Sequence, residues 1–144
     1  KSNMPWGSLP TSTVFSSYGH TVGTTKIAYC FADVDGYSKV GSYTGNGSTD
    51  GPFVHCGFRP AYVMVKRTDA ANNWIVHDIA RDNSNVVSKF LYPNLSNAEG
   101  VADNLDITSN GFKLRSTATS GNASGGTYIF LAFAESPFKH TNAR

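Results

Sequence analysis

The apolar pattern is strongest over residues 127–138, TYIFLAFAESPF, where Ile129, Leu131 and Phe133 alternate onto one face and Tyr128, Phe130, Ala132 and Ala134 take the other. A strand apolar on both faces and ended by Glu135-Ser136-Pro137 belongs in the middle of a sheet covered on both sides. The same pattern stands near the start of the chain. Residues 23–33, GTTKIAYCFAD, lie over residues 125–135, GGTYIFLAFAE, so that Gly23, Thr25, Ile27, Phe31 and Ala32 meet Gly125, Thr127, Ile129, Phe133 and Ala134, with Asp33 facing Glu135. Upstream, Thr11, Ser12 and Phe15 match Thr108, Ser109 and Phe112, and the loop 117–126 absorbs the difference in spacing. This is a repeat. Residues 1–38 read as the C-terminal fragment of a preceding β repeat or a lead-in arm, and residues 39–144 as a complete module, with the handover near residues 37–41.

Within that frame the pattern predicts short strands separated by turns. Residues 13–17 and 25–31 form a first hairpin through a turn at 19–24, and residues 34–36 close it. Residues 38–51, SKVGSYTGNGSTDG, are nearly all turn-formers and predict a long surface loop. Residues 53–56 and 61–66 are strands, with Pro60 at the start of the second because proline cannot donate to a ladder. Residues 74–79, WIVHDI, answer 61–66 as a hairpin partner across the turn 68–73. Residues 80–88 are polar and leave a short helix open. Residues 90–92 make a brief strand, 94–104 a loop anchored inward by Leu95, and 105–107 and 112–116 strands joined at Asn110-Gly111, with Phe112 and Leu114 inward and Lys113 and Arg115 outward. Strands at near-regular spacing with almost no helical periodicity predict an all-β protein, an antiparallel β-sandwich of jelly-roll-like kind.

Composition agrees. Only 15% of the 144 residues are charged and 12% are aromatic, a balance that suits strands and polar turns better than helices. The net charge of +2 and the absence of any basic run longer than Lys66-Arg67 argue against a nucleic-acid partner. No apolar run approaches the ~18 residues of a membrane span, so membrane insertion is not expected. Residues 1–7 carry no signal-peptide core and read as a mid-protein boundary. Cys30 and Cys56, each in an apolar stretch, are expected as buried reduced thiols.

Candidate chemistry is thin. The run 45–51, GNGSTDG, lacks the spacing of a dinucleotide or phosphate loop. Asp33-Val34-Asp35-Gly36 has the look of a calcium loop but lacks the further oxygen ligands, so no metal is assigned. The histidines, His20, His55, His77 and His140, are scattered, and one of His77 and Asp78 must point outward by strand geometry. No serine-nucleophile elbow exists, and a thiolate at Cys30 would be suppressed in an apolar strand. No catalytic residue and no cofactor is assigned. The surface candidates are Lys66, Arg67 and Asp69 with Trp74, a cationic hairpin tip beside an indole that could stack on a sugar or clamp a carboxylate, together with Tyr43 and Asn46. The structural alternative keeps Lys66 and Arg67 as a soluble strand edge and Trp74 in the core. Asn46, Asn94 and Asn122 head N-x-S/T triplets in loops.

The run YCFADVDGYSK (29–39), with GSYTGNGSTDGPF, GFRPAYVMVKRTDAANNW, LYPNLSNAEG, SNGFKLRST and NASGGTYIFLAFAESPFK, resembles a family of phage virion proteins, found among tail-fibre-like and other structural genes of environmental and marine phages. The resemblance runs from about residue 14 to the end of the chain. It implies a β-rich structural module of a tail fibre or appendage, located in the virion. Its partners would be sister chains in a homo-oligomer (a trimer, as in fibres), other virion proteins, and a host-surface glycan or protein. It transfers no catalytic residue. The rival expectations are a purely architectural decoration or filament subunit, and a polysaccharide depolymerase.

Overall fold

The computed structural model describes residues 11–14, 25 and 27–137. The chain divides into two compact units, Lys1–Cys30 and Phe31–Arg144. The second unit therefore takes in residues 31–38, which the repeat pattern had given to the preceding arm.

In the first unit Thr11 organises a local turn, its Oγ1 accepting the N–H groups of Thr13 and Val14 at 3.3 and 3.0 Å. Thr13 and Val14 are not in a strand. The remainder of the expected strand 13–17 and the turn 19–24 lie outside the described residues. Thr25 and residues 27–31 join no ladder among the described residues, contrary to the strand expected there, and Cys30 is exposed rather than buried.

The second unit holds eight described strands: β1 (Ser38–Thr44), β2 (Phe53–His55), β3 (Pro60–Arg67), β4 (Trp74–Asp78), β5 (Val87–Phe90), β6 (Gly100–Thr108), β7 (Gly111–Leu114) and β8 (Thr127–Ala134). They form two four-stranded sheets of order β1-β8-β3-β4 and β2-β7-β6-β5, antiparallel at every pairing. The fold is an all-β sandwich. First pairs with last and second with second-last, the nesting that gives the jelly-roll likeness, while the β3–β4 hairpin stays within one sheet.

The alternation along each strand builds the core. Val63 and Val65 of β3 and Tyr128, Phe130 and Ala132 of β8 point inward from the first sheet. From the second come Val54, Val87, Leu105, Ile107, Phe112 and Leu114. Each large apolar side chain removed from water contributes about 1.5–3 kcal/mol before the entropy of ordering is charged. Lys113 and Arg115 face out, as the pattern required.

Several expectations need correction. Residues 38–44 are a strand rather than the first half of a surface loop. Residues 100–104 likewise belong to β6. The polar stretch 80–88 is not helical; Asp82 holds it by accepting from the N–H groups of Ser88 and Lys89. Leu95 is exposed. Finally β8 is interior to its sheet, and its outer face is covered at Leu131, 7% exposed, but open at Ile129, 40% exposed.

Candidate functional site

The β3–β4 hairpin brings Arg67 and Asp69 together. Arg67 grips the Asp69 carboxylate with Nε and Nη2 at 2.9 and 3.0 Å, a fork on both oxygens. Asp69 Oδ1 also accepts the backbone N–H of Thr127 at 3.2 Å, and Arg67 Nη1 donates to the Thr119 carbonyl at 3.4 Å. The Arg67 guanidinium pulls the Asp69 carboxyl down to about 2. Thr68 Oγ1 reaches both the carbonyl and the hydroxyl of Thr127. Together these residues brace the hairpin tip against the loop that feeds β8. Lys66 and Trp74 face each other in register, with Lys66 Nζ on the Arg67 carbonyl at 2.7 Å and the Trp74 N–H on Asn94 Oδ1 at 3.1 Å. Trp74 is half-buried.

Tyr43 and Asn46 also serve the frame. Tyr43 stacks on Tyr128 at 5.0 Å and donates from its hydroxyl to the Gly121 carbonyl at 2.7 Å. Asn46 meets Asn122, a fully buried amide that the sequence marked only as the head of an N-x-S/T triplet in a loop. Asn122 Nδ2 donates to Asn46 Oδ1, the Ser48 carbonyl and the Ser116 carbonyl, while its Oδ1 accepts the Asn46 N–H at 2.9 Å. Burial also removes Asn122 from any glycosylation role in the folded chain. The loops 45–50, 68–73 and 117–126 are thus drawn to one end of the sandwich, tied through Asn122, Thr119 and Thr127.

The outer faces of the two sheets differ in character. On the β1-β8-β3-β4 sheet the register places Val40, Leu131, Met64 and Val76 in one outward row and Ile129 beside Lys66 in the next. Phe133 anchors an aromatic cluster there, with Phe31, Tyr37 and Tyr62 at centroid distances of 5.8, 5.7 and 5.8 Å. Phe31 and Tyr37 are exposed. Sequence reasoning missed this cluster because its members come from a turn, a lead-in and two strands. The outer side of the other sheet mixes charge pairs, Lys113 with Asp50 and Arg115 with Asp106, with the exposed side chains of Phe53 and Val101.

Elsewhere several of the described acids are held in ion pairs and hydrogen bonds. Asp33 pairs with Lys39 and accepts the Val40 N–H, so the D-x-D-G motif caps a turn. Arg81 joins Asp78 and Glu99, and Arg59 joins Glu135. His77 points inward and Asp78 outward; burial pushes the imidazole down to about 4 while its Nδ1 lies 3.2 Å from the Lys89 carbonyl. Cys56 is buried, its thiol pushed up to about 12. Among the described residues no group of three or more His, Cys, Asp or Glu side chains is placed to hold a metal, and no helix is long and apolar enough to cross a membrane.

Compared with known families, residues 1–137 match one described as a domain of unknown function, DUF7483. The chain belongs to this family. No curated protein and no solved structure matches it. The DUF7483 match spans the first compact unit and the described sandwich alike.

Proposed function

We propose that this DUF7483 chain is a structural and attachment module of a phage particle, carried at a tail fibre or appendage. Sister chains pack as a trimer through the apolar outer face, and the loop end of the sandwich meets a host-surface glycan or protein. The observation that carries the reading is the aromatic cluster on the outer side of the β1-β8-β3-β4 sheet, where the exposed Phe31 and Tyr37 stand against Phe133. An antiparallel sheet that faces water is ordinarily polar on that side, and an exposed aromatic cluster marks a contact surface. The loop end supports the second half: its backbone is pinned by Asn122 and by the Arg67–Asp69 pair, a preset support for contact residues. The engaged acids favour a binding role over catalysis, because a carboxylate held by a cation is a poor general acid. The resemblance of the chain's motifs to phage virion proteins supplies the setting.

Light scattering on the purified chain tests the assembly, and a glycan array with whole-cell adsorption tests the attachment. A trimer mass and selective retention of a bacterial surface glycan or of host cells are expected. A monomer at every concentration removes the oligomer, and silence on both glycans and cells removes the adhesive role.

A further inference from the structure

The β3–β4 ladder closes at the pair Lys66 and Trp74, and the hairpin tip 68–73 follows directly. Val63, Val65 and Ile75 of these strands are buried on the core side, so alternation sets Lys66 and Trp74 side by side on the outer face. β4 is the edge strand of its sheet, which puts Trp74 at the rim of that face, next to the loop end. Lys66 is held differently from its like. Every other described lysine and arginine lies within ion-pair reach of a carboxylate, Arg67 on Asp69 among them. Among the described residues Lys66 alone has no carboxylate partner, and its Nζ donates to the Arg67 carbonyl. An ammonium carries more donors than that one bond uses. Asp69 does not compete for it, because Arg67 occupies both carboxylate oxygens.

Trp74 has support of its own. Its backbone N–H donates to Asn94 Oδ1 at 3.1 Å, and Asn94 Nδ2 donates to Asn73 Oδ1 at 3.0 Å. These bonds fix the backbone under the indole and leave Asn73 Nδ2 without a partner among the described residues. An indole, an unpaired ammonium and an amide donor on one rim match a pyranose that bears a carboxylate. The C–H face of the ring packs on the indole, the carboxylate meets the ammonium, and a hydroxyl accepts from the amide. We propose that Lys66, Trp74 and Asn73 bind a carboxylated sugar, of the uronate or sialate class, within a host-surface polysaccharide. The assignment rests on the attachment reading and restricts it, from any glycan or protein to an acidic glycan and from the whole loop end to this rim. A neutral glycan leaves the ammonium unmatched where the ligand covers it, and that cost provides the discrimination.

Titration calorimetry tests the assignment with polygalacturonate, alginate and polysialic acid, each beside a carboxyl-reduced form in which every carboxylate has become a primary alcohol. The chain should bind at least one acidic polymer about tenfold more tightly than its reduced form, the effect of one charge-assisted hydrogen bond. High salt should shrink that difference. Lys66→Gln should bind both forms alike, whereas Lys113→Gln, on the other sheet, should keep the difference. Trp74→Leu should weaken both forms together; should it fail to fold, the Lys66→Gln comparison decides. Equal binding of acidic and reduced polymers by the unaltered chain, or an undiminished difference in Lys66→Gln, overturns the proposal. Retention of cells or neutral glycans with no binding to any acidic polymer overturns it and leaves the attachment reading standing. Adsorption that survives enzymatic removal of surface polysaccharide has the same meaning, because the receptor is then a protein. Silence toward cells and every glycan overturns both.

Discussion

A single side chain, the amide of Asn122, satisfies three backbone groups and a second amide inside the loop end. Asn122→Ala leaves the Asn46 N–H and the Ser48 and Ser116 carbonyls without that partner, and partly buried groups orphaned in this way cost at most about 1–3 kcal/mol each. A loss of roughly 3 kcal/mol in urea unfolding is expected, with the core strands intact by circular dichroism. His77 predicts a pH dependence. Burial keeps the folded imidazole neutral down to about 4, whereas the unfolded one takes a proton near 6.5. Between those values the unfolded chain binds more protons, so stability declines as pH falls from 6.5 toward 4 and levels off below, by about 3 kcal/mol in all. His77→Leu should flatten that slope in urea melts collected from pH 7 to pH 4. The burial of neither residue was legible in the sequence. Asn122 sits among loop-forming neighbours that look alike whether buried or solvated, and the His77-Asp78 alternation showed that one points in without showing which.

At the scale of elements, β3, β4, β7 and β8 were legible because each alternates cleanly between turn residues, whereas β1 and the front of β6 were not. Both hidden stretches contain a glycine that read as a turn signal. In the fold, Gly41 pairs with Phe130 and Gly100 with Phe90, each glycine lying under a cross-strand ring. A Cβ on Gly41 would lie 2.7 Å from the Phe130 ring, and one on Gly100 would lie 2.3 Å from the Phe90 ring. The glycine makes room for a ring that covers it, a pairing visible only once the strands are aligned. Gly41→Val should therefore push Phe130 from its place and cost about 1–3 kcal/mol. In the double variant with Phe130→Ala the two losses should fall short of additive, which a thermal-melt cycle measures. The site was legible to a similar degree. The hairpin tip was found from Lys66, Arg67 and Asp69, but their engagement with Thr119 and Thr127 depends on a loop fifty-odd positions away.

For the molecule as a whole, the proposed assembly runs through the outer face of the β1-β8-β3-β4 sheet. Ile129→Glu places a charge on that face at a position already 40% exposed, so the fold should lose little stability while the assembly falls to monomer by light scattering. Lys113→Ala, on the opposite charged face, should leave the assembled mass unchanged. An Ile129→Glu chain that still assembles would move the interface elsewhere. The sandwich architecture itself was readable from strand spacing, but the covering of β8 on both sides was not, because a strand apolar on two faces reads the same whether its second cover is its own chain or another.

Under the proposed assembly, a module whose aromatic cluster lies on one sheet is a building block with a single kind of glue. Copies gathered with that side toward a common axis use it up and stop, whereas an endless fibre needs a second adhesive patch complementary to the first. That reading favours a closed ring of copies over a growing filament, with the Lys113–Asp50 and Arg115–Asp106 pairs of each copy left toward the surroundings.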